Sequence, residues 1–223
     1  MPILVVDDQV NSRENVADWV VNTFGNDQAI RQDEPLQSVD ALLERVRRDR
    51  IEAVTLDYKM ARQYAPVDGM ELASRLFDAK VPSVIVSSYV ESGLPKYFWR
   101  GAKIPAILAR SELSSGLADA VERARARIQG RHSPQTLPSR TLVRILSIDD
   151  DEVGLLIPGY RATDGKLVER EELQALLPGV DLQIGLRLMA KVNLGAPNLD
   201  QLYVTDLELA PELDEAHAGL LRR

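Results

Sequence analysis

Short, strand-length apolar runs recur along the first 130 residues, and amphipathic stretches separate them. The runs are Ile3–Val6, Gln28–Arg31 (the weakest), Ala53–Leu56, Ser83–Ser87 and Ala106–Ala109. Most are too uniformly apolar to keep one face in water, so they read as strands covered on both sides. Between them, Val16, Val20 and Phe24 recur at four-residue spacing, as do Leu42 and Val46. Met70, Leu72, Ala73, Leu76 and Phe77 make another stripe, and Leu117, Val121 and Ile128 a further one. Strand-helix alternation repeated five times predicts an α/β domain: a doubly wound, five-stranded parallel sheet with helices on both faces.

The pattern stops at "GRHSPQTLPSR", residues 130–140, which is rich in Pro, Gly, Ser and Thr and almost free of apolar residues. This stretch is predicted to be a linker between a domain over 1–129 and another over 141–223. Beyond it, "TLVRILSI", "EVGLLIPGY", "QIGLRLMAKVNL" and "QLYVTDLEL" have strand composition, with one short helical pattern at Glu171–Leu177. Close Gly and Pro punctuation predicts a second, smaller, mainly β domain. The closing "PELDEAHAGLLRR" reads as a terminal helix.

Charge and composition exclude several functions. The 223 residues carry a net charge of −7, which argues against a DNA-binding protein, because phosphate neutralisation needs a basic face. From Thr141 onward there are 8 Lys/Arg against 15 Asp/Glu, so the acidity belongs to the second part. The absence of cysteine removes disulfides, thiolate zinc sites and thiol nucleophiles. Only His132 and His217 could act as imidazole bases or ligands. No apolar run reaches the roughly 18 residues of a membrane span, and the N-terminus lacks a signal-peptide pattern, so a cytoplasmic protein with no membrane partner is expected.

In an open parallel sheet, functional groups collect at the carboxyl ends of the strands. Asp7 and Asp8 follow the first strand, Asp57 closes the third, Ser87 and Ser88 the fourth, and Arg110 the fifth. Three neighbouring carboxylates repel one another unless a divalent cation joins them, and an oxygen-rich site of this kind suits Mg²⁺. Such a cluster can also accept a phosphoryl group. Asp57 would be the nucleophile, Asp7 and Asp8 the metal holders, Ser87 a hydroxyl donor and Arg110 the cation.

The segments "ILVVDDQ", "VTLDYKM", "DGMEL" and "PSVIVSS", in this order and spacing, resemble the receiver domain of two-component response regulators, the CheY-like, flavodoxin-like fold, over about residues 1–130. The resemblance implies that Asp57 is the phosphoacceptor and Asp7 and Asp8 the acidic pair. It makes Ser87 the switch hydroxyl and the backbone carbonyl of Lys59 the remaining protein ligand of Mg²⁺. It further implies phosphorylation by a histidine kinase or phosphotransfer protein, and a downstream protein partner. Enzymatic activity is not expected beyond self-catalysed aspartyl phosphorylation, and a homodimer stays open.

The chain departs from that pattern at several positions. Arg110 and Ser111 stand where the family has a lysine and a proline, and Ile107 stands at the aromatic switch position. Lys103 could replace the lysine only if its loop folded back. Ala61 replaces a proline, and "RQYAPV" lengthens the loop before Asp68-Gly69 by about four residues, which would let Lys59, Arg62 or Tyr64 reach or cover the site. Two alternatives therefore stay open: a phosphorylation-independent pseudo-receiver scaffold, and a Mg²⁺-dependent phosphatase or hydrolase using Asp57. Asp7 and Asp8 could instead simply cap the following helix. The adjacent Tyr97, Phe98 and Trp99 cannot all face inward on one helix, so at least one is expected at the surface as a partner face.

In the second part, "ILSIDDDE" and "LYVTDLELAP" imitate receiver strands, but no amphipathic helix follows Asp150 where that fold needs one. Asp149–Asp151 is expected to be a charged hairpin turn. With no catalytic motif and no basic recognition helix, protein interaction is the default role for this part.

Overall fold

The computed structural model describes residues 1–90, 97–160, 165–197 and 201–211. The chain divides into two compact units, Met1–Pro134 and Gln135–Arg223. His217 and nearly all of the expected terminal helix lie outside the described residues.

The first unit alternates β1 (Ile3–Val6), α1 (Val10–Phe24), β2 (Ala29–Arg31), α2 (Val39–Arg48), β3 (Ala53–Asp57), α3 (Gly69–Asp78), β4 (Ser83–Ser87), α4 (Tyr97–Arg100), β5 (Ala106–Ala109) and α5 (Leu113–Ile128). All strand pairings are parallel, in the order β2-β1-β3-β4-β5. This is the doubly wound, flavodoxin-like order, whose crossovers place helices on both faces. Ile3 and Val5 join the cluster that contains Val16 and Val20 of α1 and Leu117 and Val121 of α5. Alternation sends Leu4 to the opposite face. There Leu42 of α2 and Met70, Leu72 and Leu76 of α3 are also fully buried. Two covered faces explain the unbroken apolar strands, and each fully buried Leu or Ile contributes roughly 1.5–3 kcal/mol.

Local chemistry sets the helix limits. Ser38 caps α2 by accepting from the Ala41 amide (3.0 Å), and Asp68 caps α3 by accepting from Glu71 (2.9 Å). Neither Asp7 nor Asp8 caps α1, whose N-cap is Gln9 and has no side-chain bond. Three expectations are adjusted here. The weak second strand starts at Ala29, and the third runs on to Asp57, which thereby becomes its last residue. Tyr97 (8% exposed) and Phe98 (2%) are core residues, so of the three aromatics only half-buried Trp99, edge-on to Phe98, offers surface to a partner.

The second unit holds β6 (Ser139–Ile148), β7 (Glu152–Leu156), β8 (Lys166–Glu169), α6 (Arg170–Leu176), β9 (Arg187–Val192) and β10 (Val204–Leu209). They form one antiparallel sheet in the order β10-β9-β6-β7-β8. Strand β6 begins inside the stretch read as a linker, at Ser139. The Asp149–Asp151 turn joins β6 to β7, with the Asp149 amide donating to the Glu152 carbonyl (2.8 Å). No composition signal marked β8, since "KLVE" is short and only Val168 in it is buried. Among the described residues no helix is long and apolar enough to cross a membrane.

Candidate functional site

Strands β1 and β3 end side by side, with β5 one strand beyond β4, and this edge brings together Asp7 after β1, Asp57 at the end of β3 and Arg110 after β5. One carboxylate oxygen from each of Asp7, Asp8 and Asp57 lies within 4.8 Å of the others. Arg110 Nη2 donates to Asp57 Oδ1 (2.8 Å) and to Asp7 Oδ2 (3.1 Å). The guanidinium therefore bridges the two strands' carboxylates from the fifth strand.

Five of the six carboxylate oxygens accept a hydrogen bond. Asp7 Oδ1 accepts from the Gln9 amide (2.9 Å), and Asp7 Oδ2 also accepts from Ser12 Oγ. Asp57 Oδ2 accepts from the Lys59 amide (3.0 Å), and Asp8 Oδ2 from the Ala61 amide (2.9 Å). Asp8 Oδ1 is the exception, being buried with no hydrogen-bond partner. A buried carboxylate oxygen without a partner, on a residue grouped with two other carboxylates, is costly without a cation. Arg110 offsets one of the three negative charges and leaves two, the charge of one divalent ion. The all-oxygen donor set suits a hard cation such as Mg²⁺, so the residues fit that metal.

Burial, and then the charge of Asp7, push Asp57 up to about 6, against the opposing pull of Arg110. Asp57 is thus reluctant to ionise when no metal is bound. Gly69 makes this crowding possible, because a Cβ there would lie 1.9 Å from the Asp57 carbonyl oxygen. The Asp68-Gly69 step thus lets the start of α3 press against the strand end that carries Asp57.

Other expected residues are placed as follows. Ser87 is fully buried at the end of β4, and its Oγ accepts from the Tyr89 amide (3.0 Å) without bonding to the carboxylates. Neighbouring Ser88 is exposed. The Lys59 ammonium lies 4.2 Å over the Tyr89 ring, and exposed Arg62 lines a separate cavity with Met60 and Arg100. Tyr64 turns inward at 7% exposure and donates to the Gln32 carbonyl (2.5 Å), and burial raises its phenol to about 12. None of the three side chains bonds to the carboxylate cluster. Their loop packs instead on the β2–α2 connection, where the Leu36 amide also donates to the Tyr64 carbonyl (2.6 Å). Lys103 pairs with Asp78 (2.8 Å) and does not stand in for Arg110.

Sequence reasoning missed Arg13 as well as the role of Gly69. Arg13 is 5% exposed, donates from Nη1 to the Asp7 carbonyl (2.7 Å) and pairs with Asp33 (3.2 Å). The signal was available, since Arg13 shares the spacing of Val16, Ala17 and Val20, the buried stripe of α1. A cation on an apolar stripe needs a buried acceptor.

No protein-family model matches the chain, and no curated protein matches it. Among solved structures it is similar to the receiver domain of NtrX from Brucella abortus (21% identity, 55% of this chain and 97% of that one, TM-score 0.40). It is also similar to a response regulator receiver domain protein from Clostridium thermocellum (16%, 57% and 96%, TM-score 0.42). A third match is the N-terminal domain of a response regulator/sensory box/GGDEF 3-domain protein from Carboxydothermus hydrogenoformans (16%, 58% and 98%, TM-score 0.43). These structural matches to response-regulator receiver domains span a little over half of the chain, in its N-terminal part.

Proposed function

We propose that the first unit is a receiver in which Asp57 accepts a phosphoryl group, and that this state controls protein interactions of the β-rich second unit. The observation that carries the reading is Arg110 Nη2 held between Asp57 and Asp7, in a cluster whose third carboxylate, Asp8, keeps a buried oxygen without a partner. In the step, an Asp57 oxygen attacks phosphorus of a phosphohistidine on a histidine kinase or phosphotransfer protein. The new O–P bond forms as the P–N bond breaks, and the imidazole leaves with the electron pair and takes a proton. Arg110 is placed to hold the phosphoryl oxygens that gather charge. Ser87, at the end of the adjacent strand, is the candidate hydroxyl donor to the same group. Asp7, Asp8, Asp57 and the Lys59 carbonyl would hold Mg²⁺, which when bound neutralises charge on the phosphoryl oxygens.

The test is incubation with Mg²⁺ and acetyl phosphate, followed by intact-mass measurement. One hydroxylamine-labile phosphoryl adduct is expected on the wild type and none on Asp57→Asn. Absence of the adduct in the wild type, with small donors and with phosphorylated histidine kinases, would refute the reading. One observation favours a second reading: the Arg110 fork already engages both carboxylates, as a phosphorylation-independent scaffold would allow. Equal partner affinity of the unmodified and the phosphorylated protein would select that alternative.

A further inference from the structure

The second unit is acidic as a whole, yet four cations gather on one face of its sheet. Val143 and Ile145 of β6 and Leu188, Ala190 and Val192 of β9 are buried on one side. By strand alternation, the residues between them point to the other side. There the register sets Arg140 opposite Lys191, Leu142 opposite Met189, and Arg144 opposite Arg187. Two basic rows thus bracket an apolar one, and Leu142 is 36% exposed. Arg144 also lies opposite Leu156 of β7, which puts an apolar side chain at the end of the arginine row.

The rows differ in how their charge is met. Arg140 pairs with Glu208 (2.8 Å) and Lys191 with Asp206 (2.8 Å), both from β10. Arg144 and Arg187 make no ion pair or side-chain hydrogen bond among the described residues. Like charges directly opposite on neighbouring strands are destabilising. In a unit with a surplus of carboxylates, none among the described residues bonds to this pair to relieve the repulsion. A ligand that brings carboxylates to the pair would.

We propose that this face docks an acidic, leucine-bearing segment of a partner protein, with carboxylates on Arg144 and Arg187 and leucines on Leu156 and on the neighbouring Leu142–Met189 row. A peptide is favoured over a nucleic acid or an anionic bilayer because the chain's net charge of −7 repels an extended anionic surface. A short segment meets only the charges within about 8–10 Å of the face. The inference deepens the interaction role proposed for this unit and names its surface and partner chemistry.

The test uses the full chain and a fluorescein-labelled peptide in which glutamates flank leucines, read by anisotropy without phosphodonor. Wild type is expected to bind this peptide, more weakly as salt is raised, and not to bind the same peptide with lysine for glutamate. Arg144→Glu should weaken binding at least about tenfold. It should also leave the thermal midpoint unchanged or a few degrees higher, because the Arg144–Arg187 clash becomes an attractive pair. Leu142→Ser should weaken binding severalfold. Failure of wild type to bind, equal binding by Arg144→Glu, or preference for phosphatidylserine vesicles or duplex DNA over the peptide would overturn the proposal. Since no phosphodonor is present, failure here leaves phosphoryl transfer at Asp57 untouched, and failure of that transfer leaves this docking face standing.

Discussion

Arg110 differs from a lysine in shape more than in charge, and shape decides what it can do at the ends of three strands. One guanidinium nitrogen reaches both Asp57 and Asp7, while Arg110 Nε stays buried without a partner. The two N–H bonds of that nitrogen lie in the guanidinium plane at a fixed angle, whereas an ammonium would swivel between the acceptors. Even with that cation in place, Asp57 is raised to about 6 from 3.8, chiefly by burial and by Asp7. The folded chain therefore holds the Asp57 proton more tightly than the unfolded chain does. In metal-free buffer the unfolded state ionises first as pH rises from about 4 to about 6, and this group's contribution to stability falls by up to about 3 kcal/mol. Above pH 6 the loss is complete. Asp57→Asn mimics the neutral form, so its stability advantage over wild type should grow across that window and then level off. Urea unfolding of both proteins at pH 4, 5, 6 and 7 measures it, and parallel pH profiles would show that Asp57 ionises as easily folded as unfolded.

Helices α2 and α3 end in the same way, and neither ending uses glycine. Arg50 and Lys80 sit at φ 52° and 62°, while the amides of Ile51 and Val81 reach back to the carbonyls of Val46 (2.9 Å) and Leu76 (2.8 Å). Both are left-handed closures of the last turn, a conformation costing an ordinary residue roughly 1 kcal/mol or more. Lys80→Gly should therefore stabilise the first unit by about 0.5–1 kcal/mol, seen as a higher urea midpoint at unchanged slope. A lower midpoint would mean that the Lys80 ammonium, 5.5 Å from the Phe77 ring centre, contributes more than the strain costs. These closures were invisible in the sequence because their usual signal is absent. The five parallel strands were legible for the opposite reason, since burial on both faces writes an unbroken apolar run. Strand β8 shows how that signal fades, because one buried valine in four residues has no readable period. Gly69 marks an intermediate case. The Asp-Gly step was visible, but its function depends on the 1.9 Å approach to Asp57, which only the fold reveals.

At the scale of the molecule, the sequence located the acidic residues of the first unit but not their balance. Strand order brings Asp7, Asp8, Asp57 and Arg110 to one edge, and that much follows from topology rules. The engagement of Arg110 with both carboxylates and the orphaned oxygen of Asp8 depend on side-chain placement, which periodicity does not encode. In the second unit, composition gave a uniform excess of acid, whereas pairing across β6 and β9 gathers arginines onto one face. Net charge is a sum over residues, and the fold decides where the signs separate. The first unit has its own core on both faces of its sheet, so the fragment 1–134 should fold alone and keep the carboxylate site. Mg²⁺ at about a hundredfold excess over its dissociation constant should then stabilise the fragment by about 2.7 kcal/mol. Asp8→Asn should abolish most of that gain while leaving the metal-free stability equal or higher, because it removes a negative charge whose Oδ1 has no partner. Thermal melts of both fragments across a Mg²⁺ titration, with Ca²⁺ and high NaCl as controls for general screening, make the comparison. Equal stabilisation of both fragments would place the ion elsewhere on the surface and detach the three carboxylates from metal binding.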